Sequence, residues 1–140
     1  YLAVMEQVLS ERQPRACLIG STSVGIDLAP ALGLRIKAPV VGNVLQIAAE
    51  GESLKVTSKF CAGRLLAELD VTAAPALLLM LPGCARPVEA DTPPPQEAIT
   101  VDLPSQDGAV RMLQMVLPEA GDVDITQQDV LIGVGRGIEQ

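Results

Sequence analysis

The feature that most constrains the fold is the run Ala76–Leu81, which is apolar at every position and bounded by Pro75 and Pro82. Its residues do not alternate with polar ones, and it is far shorter than the ~20 residues that span a bilayer. A short run of this kind favours a strand buried on both faces of a sheet. Aromatic residues make up only 1 % of the chain. The core is therefore predicted to be aliphatic, as in a sheet covered by helices.

The first third of the chain predicts a helix, a strand and a second helix. Apolar residues recur at helical spacing over 2–9, and Ala16–Ile19 is a short apolar run typical of a central strand. The loop Gly20–Ser23 follows, and its hydroxyl groups can cap a helix that runs to Ile36. Pro30 indicates that this helix begins near Asp27. This order is typical of a parallel sheet with crossover connections.

The middle of the chain predicts an antiparallel hairpin. Its strands are Val44–Ala49 and Leu54–Phe60, separated by Glu50-Gly51-Glu52, and a third strand is expected over Arg64–Val71. A proline-rich loop is expected over 82–96, and further strands over 98–103, 110–117 and 129–134. The predicted fold class is α/β, a three-layer sandwich with a mostly parallel sheet and a small antiparallel hairpin excursion.

Composition excludes several classes of function. The chain has no histidine, which removes serine–histidine and cysteine–histidine nucleophile pairs and most zinc sites. Its 10 basic and 17 acidic residues give a net charge of −7, which disfavours nucleic-acid binding. Cys17, Cys61 and Cys84 form no Cys-x-x-Cys pair, and buried, unreactive thiols in a reducing compartment are expected. We predict no catalytic residue and no metal site.

Two polar segments are candidates for anion binding. The Gly20–Ser23 loop joins a strand to a helix, so it suits either a bound phosphate or plain helix capping, and capping is favoured. Lys59, Arg64 and Arg86 form either an anion site or a solvated face, and the solvated face is favoured because scattered strand charges usually face water.

The carboxyl-terminal segment carries three alternating glycines, Gly133, Gly135 and Gly137, with Arg136 among them. Glycines after a strand allow either a tight turn or the close approach of a ligand to the backbone, and both interpretations remain open. A strand followed by such a loop is how a doubly wound nucleotide domain begins. We therefore predict one domain over 1–128 and the start of a truncated second domain over 129–140.

These motifs resemble the alpha subunit of electron transfer flavoproteins. Gly20-Ser21-Thr22-Ser23-Val24-Gly25-Ile26-Asp27-Leu28-Ala29-Pro30-Ala31 is similar to that family's Gly-x-Thr-x-x-Gly-Arg-Asp-Leu-Ala-Pro-Arg segment. Val134–Gly137 is similar to its Gly-Gly-Arg-Gly loop, and Lys59–Gly63 stands where the family has Arg-x-x-x-Gly. Four positions depart from the family pattern, which indicates a divergent branch: Ile26, Ala31, Lys59 and Val134.

The resemblance implies an electron carrier rather than an enzyme. FAD is expected in the full-length protein, held in part by Gly135, Arg136 and Gly137, with none bound to this fragment. The Arg136 guanidinium is expected to stabilise negative charge on the reduced flavin. Residues 1–128 are expected to be mainly structural and to contact the beta subunit.

The resemblance also implies partners and a location. The expected partners are a beta subunit, a dehydrogenase as electron donor, and a quinone reductase or other acceptor, with no nucleic acid and no direct membrane insertion. The expected location is the cytoplasm of a bacterium or archaeon, or the mitochondrial matrix of a eukaryote. Because the chain opens with Tyr1, the native amino terminus is expected to be missing.

Two rival interpretations remain. One is a free-standing nucleotide-binding α/β module similar to the universal stress proteins, although the Gly20 loop lacks their glycine-rich phosphate segment. The other is a purely structural or interaction domain.

Overall fold

The computed structural model describes residues 1–88, 92, 96–101, 112–116 and 125–138. The chain divides into two compact units, Tyr1–Pro104 and Ser105–Gln140. The predicted domain boundary at 128/129 lies inside the second unit and stays a prediction.

The first unit holds the α-helices and strands of the described residues. In chain order these are α1 (Leu2–Arg12), β1 (Ala16–Gly20), α2 (Ser23–Ile36), β2 (Val40–Glu50), β3 (Ser53–Phe60), β4 (Leu65–Val71) and β5 (Ala76–Met80). The strands form one sheet in the order β1-β5-β2-β3-β4. Strand β5 is parallel to both β1 and β2, whereas β3 is antiparallel to β2 and β4. The α/β class and the antiparallel hairpin are confirmed.

Strand β2 bends sharply and so belongs to two layers. Its ladder is irregular between Val41 and Val44, and Asn43 there has a positive φ of 52°. The first part of β2 pairs with β5 and the second part with β3. At the far end of the hairpin, the Arg15 guanidinium donates hydrogen bonds to the carbonyl oxygens of Gly51 at 2.9 Å and Ser53 at 2.6 Å. Since Arg15 precedes β1, the antiparallel strands lie back over one face of the parallel strands.

The core has two apolar clusters, one on each face of β5. Leu77 packs with Leu9 and Leu32 of the two helices. Leu78 and Ala76 face the other way and pack with residues of the antiparallel layer, chiefly Val44, Leu54 and Val56. Residues 76–79 are all buried, at most 5 % exposed, which confirms the prediction of a strand buried on both faces. Helices, parallel strands and antiparallel strands therefore form the three layers predicted.

The start of α2 corrects one expectation. The helix begins at Ser23, not near Asp27, and Pro30 lies inside it. A proline in a helix interior removes one hydrogen bond, at a cost of about 3 kcal/mol. The helix persists because its inner face is held by tertiary packing, with Ala29 and Leu32 fully buried.

The strands expected late in the chain are wrong at the positions that can be compared. Residues 98–101, 112–116 and 129–134 contain no strand, and the remaining positions of the first two ranges lie outside the described residues. An extended segment becomes a strand only when a neighbour pairs with it. The apolar side chains in 112–116 are largely exposed, Met112 and Leu113 among them. Apolar character alone therefore did not produce a ladder here.

Candidate functional site

The loop between β1 and α2 is a helix cap. The Thr22 hydroxyl accepts a hydrogen bond from the Gly25 backbone N–H at 3.2 Å, and Ser21 N–H donates to the Met80 carbonyl at 2.8 Å. The threonine therefore satisfies one of the free N–H groups that a phosphate would need. The expected capping role is confirmed, and the loop does not favour the free-standing nucleotide module.

Gly25 brings α2 unusually close to the end of β1. A Cβ placed there would lie 2.0 Å from the Gly20 carbonyl oxygen and 3.0 Å from Cγ2 of Ile19. No other residue type fits that space without movement of the backbone. This explains in physical terms why the first turn of α2 carries a glycine at this position.

The carboxyl ends of the parallel strands meet the end of the β3–β4 hairpin. Leu81, just after β5, donates its N–H to the Val44 carbonyl at 2.9 Å. Between this edge and the hairpin is a cavity of about 300 Å³, lined by Asn43, Lys59, Ala62, Gly63 and Leu81. In open α/β sheets, ligands bind at the carboxyl ends of the strands. This cavity is therefore the part of the first unit best placed for a small polar ligand.

The tight turn at the end of the hairpin runs through left-handed conformations at three consecutive residues. The φ angles are 51° at Cys61, 56° at Ala62 and 84° at Gly63. Gly63 N–H donates to the Phe60 carbonyl at 3.0 Å, and Arg64 N–H donates to the Cys61 carbonyl at 3.2 Å. Only one of the three is a glycine, so these hydrogen bonds must hold a conformation that alanine and cysteine adopt reluctantly.

The predicted cationic residues divide between two places. Lys59 and Arg64 lie at the same hairpin end, exposed and without an ion pair among the described residues. Arg86 is exposed and does not line the cavity beside them. By contrast, Lys55 in the middle of β3 lies 3.2 Å from Asp70 and 3.9 Å from Glu50. The hydrogen bond from Lys55 to Asp70, and the negative charges of Asp70 and Glu50, raise the pKa of Lys55.

A larger open groove of about 560 Å³ follows the outer face of the antiparallel strands. Its polar lining consists of Gln46, Glu50, Lys55, Thr57 and Glu68, with Cys84 at one side. In the part of the chain that the structure describes, no group of three His, Cys, Asp or Glu residues is arranged to hold a metal ion. Apolar residues, among them Leu45, Ile47 and Met80, make up the rest of the groove's lining.

The three cysteines are free thiols in different surroundings. Cys17 is half-buried on β1, and burial raises the pKa of its thiol. Cys84 is also half-buried, but Cys61 is exposed, so the expectation of a buried thiol is wrong there. Cys61 is the first residue of the hairpin turn, beyond the point where the facing layer covers β3.

The carboxyl-terminal glycine segment is open. Residues 130–137 are exposed, and no atom of the described residues lies within 4 Å of a Cβ added at Gly133, Gly135 or Gly137. Arg136 begins a short 3₁₀ turn, Arg136–Ile138, and has no ion pair within the described residues. An uncovered backbone and a free guanidinium fit one side of an anionic cofactor such as FAD. The assignment of Gly135, Arg136 and Gly137 to FAD stays a prediction.

Sequence reasoning missed two residues that shape the region around the cavity. Asn43 makes the bend in β2, and the Gly42-Asn43 pair is a turn signal beside a predicted strand. Phe60 follows Val56 and Ser58 on the inner face of β3, yet its side chain is 45 % exposed. A lone aromatic next to a Cys-Ala-Gly-Arg turn is the signal that could have found it.

None of the helices in the described ranges is both long enough and apolar enough to span a membrane.

Comparison with known proteins gives consistent matches. A family model described as the electron transfer flavoprotein domain matches residues 1–106. The electron transfer flavoprotein subunit alpha of Bacillus subtilis is 22 % identical over 139 residues, covering 99 % of this chain and 43 % of the relative. Protein FixB of Clostridium saccharobutylicum is 25 % identical over 142 residues, covering 99 % and 42 %. The electron transfer flavoprotein subunit alpha of Clostridium acetobutylicum is 26 % identical over 148 residues, covering 99 % and 43 %. The chain thus spans less than half the length of the relatives it matches.

Proposed function

The chain belongs to the electron transfer flavoprotein domain family, and on this premise we propose that it is part of an alpha-type subunit that carries electrons through FAD. The observation that carries the proposal is the family match over residues 1–106, which coincides with the compact unit Tyr1–Pro104. Electrons would come from a dehydrogenase and pass to a quinone reductase or another acceptor. The protein acts as a carrier, not as an enzyme with a substrate of its own.

The two parts of the chain have different roles in this proposal. Residues 1–128 form a structural domain that contacts a beta-type subunit. Residues 129–140 begin the FAD-binding domain, where the Gly135 and Gly137 backbone approaches the cofactor and the Arg136 guanidinium places positive charge beside it. The flavin, when bound, supplies the redox chemistry, while the protein supplies binding, orientation and electrostatic field.

The visible absorption spectrum tests the proposal. The gene is expressed through the domain beyond residue 140, alone and together with a beta-type subunit. A yellow protein with flavin bands is expected. A protein that is colourless under both conditions would contradict the proposal.

Substitution of Arg136 tests the cofactor assignment separately. Arg136→Ala is expected to lose the flavin bands or to lower the flavin's reduction potential, because a positive charge favours the reduced, more negative cofactor. Arg86→Ala removes another exposed arginine, in the first unit, and is the control. If Arg136→Ala has the same absorption spectrum and the same flavin reduction potential as Arg86→Ala, the assignment of Arg136 to the FAD site is contradicted.

A further inference from the structure

The end of the β3–β4 hairpin, Lys59–Leu66, combines features that its role in the fold does not explain. We propose that this hairpin tip docks on a second, different subunit, whose contact surface is an apolar patch with an acidic rim. The inference rests on the proposed function, under which that subunit is the beta-type partner.

The tip extends the inner face of β3 and β4 beyond the covering layer. Val56 is 1 % exposed and Ser58 is fully buried, with its hydroxyl donating to the Gly42 carbonyl at 2.5 Å. Phe60 is the next residue on the same face, yet it is 45 % exposed. It is paired directly with Leu65, which is 59 % exposed. The inner apolar stripe therefore continues into solvent as an aromatic–aliphatic pair.

Leu66 adds apolar surface on the other face of the tip. It is 64 % exposed and lies opposite Lys59 in the ladder. Single exposed apolar residues are common on any protein, but Phe60 and Leu65 lie side by side on one face of the tip and form a small contiguous patch, the kind of exposed apolar surface that marks a contact site. Large rigid aromatic side chains in such patches often contribute most of the binding energy.

The charge of the tip indicates the chemistry of its partner. Residues 57–67 contain Lys59 and Arg64 but no carboxylate, in a chain whose net charge is −7. Arg12, Arg35 and Lys55 each pair with a carboxylate, whereas other described cations such as Lys37 and Arg86 do not; what sets the tip apart is two cations close together with no carboxylate beside them. The two tip cations are free of such pairs in the described part of the chain. A partner surface with carboxylates around an apolar centre would complement both the charge and the exposed side chains.

The tip is ordered before it binds. The β3–β4 ladder runs without irregularity from Leu54 paired with Val71 to Phe60 paired with Leu65. Two turn hydrogen bonds, from Gly63 N–H to the Phe60 carbonyl and from Arg64 N–H to the Cys61 carbonyl, then close it. A surface that is already rigid loses little conformational entropy on docking, which favours binding.

A second copy of this chain fits the tip less well. In a two-fold dimer the same surface meets itself, so the tip cations of one copy would face those of the other. That arrangement is repulsive. A different subunit with opposite charge avoids the repulsion, which is why the proposal commits to one.

The experiment measures binding of the full-length alpha-type chain to the purified beta-type subunit by surface plasmon resonance at two salt concentrations. The double variant Phe60→Ser/Leu65→Ser is expected to raise Kd by at least about tenfold. Leu34→Ser on α2 is the matched control, since Leu34 is 83 % exposed. It is expected to leave Kd unchanged.

A second pair of variants tests the charge and does not depend on the apolar change being tolerated. Lys59→Gln/Arg64→Gln is expected to slow association and to flatten its salt dependence, whereas Lys37→Gln, at another exposed cation, leaves both as they were. Circular dichroism establishes that each variant is folded.

Three results would overturn the inference. One is equal binding by the tip variants and their controls. Another is unchanged salt dependence in the charge variant. The last is a homodimer of the alpha-type chain that the tip variants abolish, which would make a second copy the occupant. If the wild-type pair is yellow and assembles while the tip variants bind normally, the docking surface fails and the proposed function stands.

Discussion

At the scale of single residues, Gly25 is where the local sequence and the packing are most tightly linked. The 2.0 Å approach of an added Cβ to the Gly20 carbonyl involves backbone, which cannot swing away as a side chain can. Gly25→Ala is therefore expected to lower the free energy of unfolding by about 2 kcal/mol, even though alanine is the better helix former. Gly42→Ala, with nothing within 4 Å of the added Cβ, is the control in urea unfolding. Equal unfolding midpoints for the two variants would contradict a steric requirement for glycine at position 25.

The Thr22 cap gives a second prediction at this scale. Thr22→Ala removes the acceptor for the Gly25 N–H and is expected to cost about 1 kcal/mol of unfolding free energy. Thr22→Ser keeps a hydroxyl and is expected to retain most of it. Thermal unfolding of the two variants distinguishes them. A serine variant as unstable as the alanine variant would contradict the capping role.

The cysteines make the third residue-scale prediction, about reactivity. Burial raises the pKa of the Cys17 thiol, while Cys61 lies exposed on a turn. At pH 8 a thiol reagent is expected to label Cys61 at least about tenfold faster than Cys17, because the accessible thiolate is the reactive species. Mass spectrometry after short labelling measures this, with Cys61→Ser as the control. Because burial disfavours the thiolate, the unfolded state loses the Cys17 proton more readily, so the free energy of unfolding falls as the pH rises from the ordinary thiol pKa through the higher folded value.

At the scale of elements, Arg15 holds the antiparallel layer over the parallel one. Its guanidinium reaches two carbonyl oxygens at the β2–β3 turn. Arg15→Ala is expected to cost about 1 kcal/mol and to speed amide hydrogen exchange in β2 and β3 more than in β1 and β5. Arg86→Ala is the control. If Arg15→Ala speeds amide exchange by the same factor in all four strands, Arg15 does not specifically hold the antiparallel layer on the parallel one.

Local pattern was sufficient for some elements and not for others. The continuous apolar run of β5 reflects burial on both faces, and the alternation of Leu54, Val56 and Ser58 with polar residues in β3 reflects burial on one face. Both patterns are local, so the sequence predicted both strands. The extent of β2 was missed because its first residues pair with β5, a strand more than thirty positions away. The strand expected over 129–134 failed for a related reason, since pairing partners are not encoded in the segment itself.

The same limit applies to the candidate site. Thr22 was predicted because a cap is a contact within four residues. Lys59 and Arg64 could be grouped because they flank the turn between two strands that the sequence predicts to be adjacent. The exposure of Phe60 could not be read from its neighbours, since it depends on where the opposite layer ends. That end is set by the bend at Asn43 and the length of β5.

At the scale of the whole molecule, the question is whether the three layers of Tyr1–Pro104 fold as a unit. Among the described residues, both apolar clusters are built from positions 2–80. The segment around residues 97–100 contacts α1 through an exposed ion pair between Glu97 and Arg12 and a hydrogen bond from the Gln7 amide to the Thr100 carbonyl. A chain ending at Pro104 is therefore expected to unfold in one cooperative transition.

Urea unfolding followed by circular dichroism provides the measurement for this truncation. The free energy of unfolding is expected to lie within about 1 kcal/mol of that of residues 1–140, because this truncation keeps both apolar clusters of the described residues. A second truncation after Leu81 removes the Glu97 and Thr100 contacts and is expected to be less stable, since α1 then loses both anchors. If the Pro104 truncation unfolds gradually while the 140-residue chain unfolds cooperatively, the first unit depends on residues 105–140, and the layered core alone does not account for its stability.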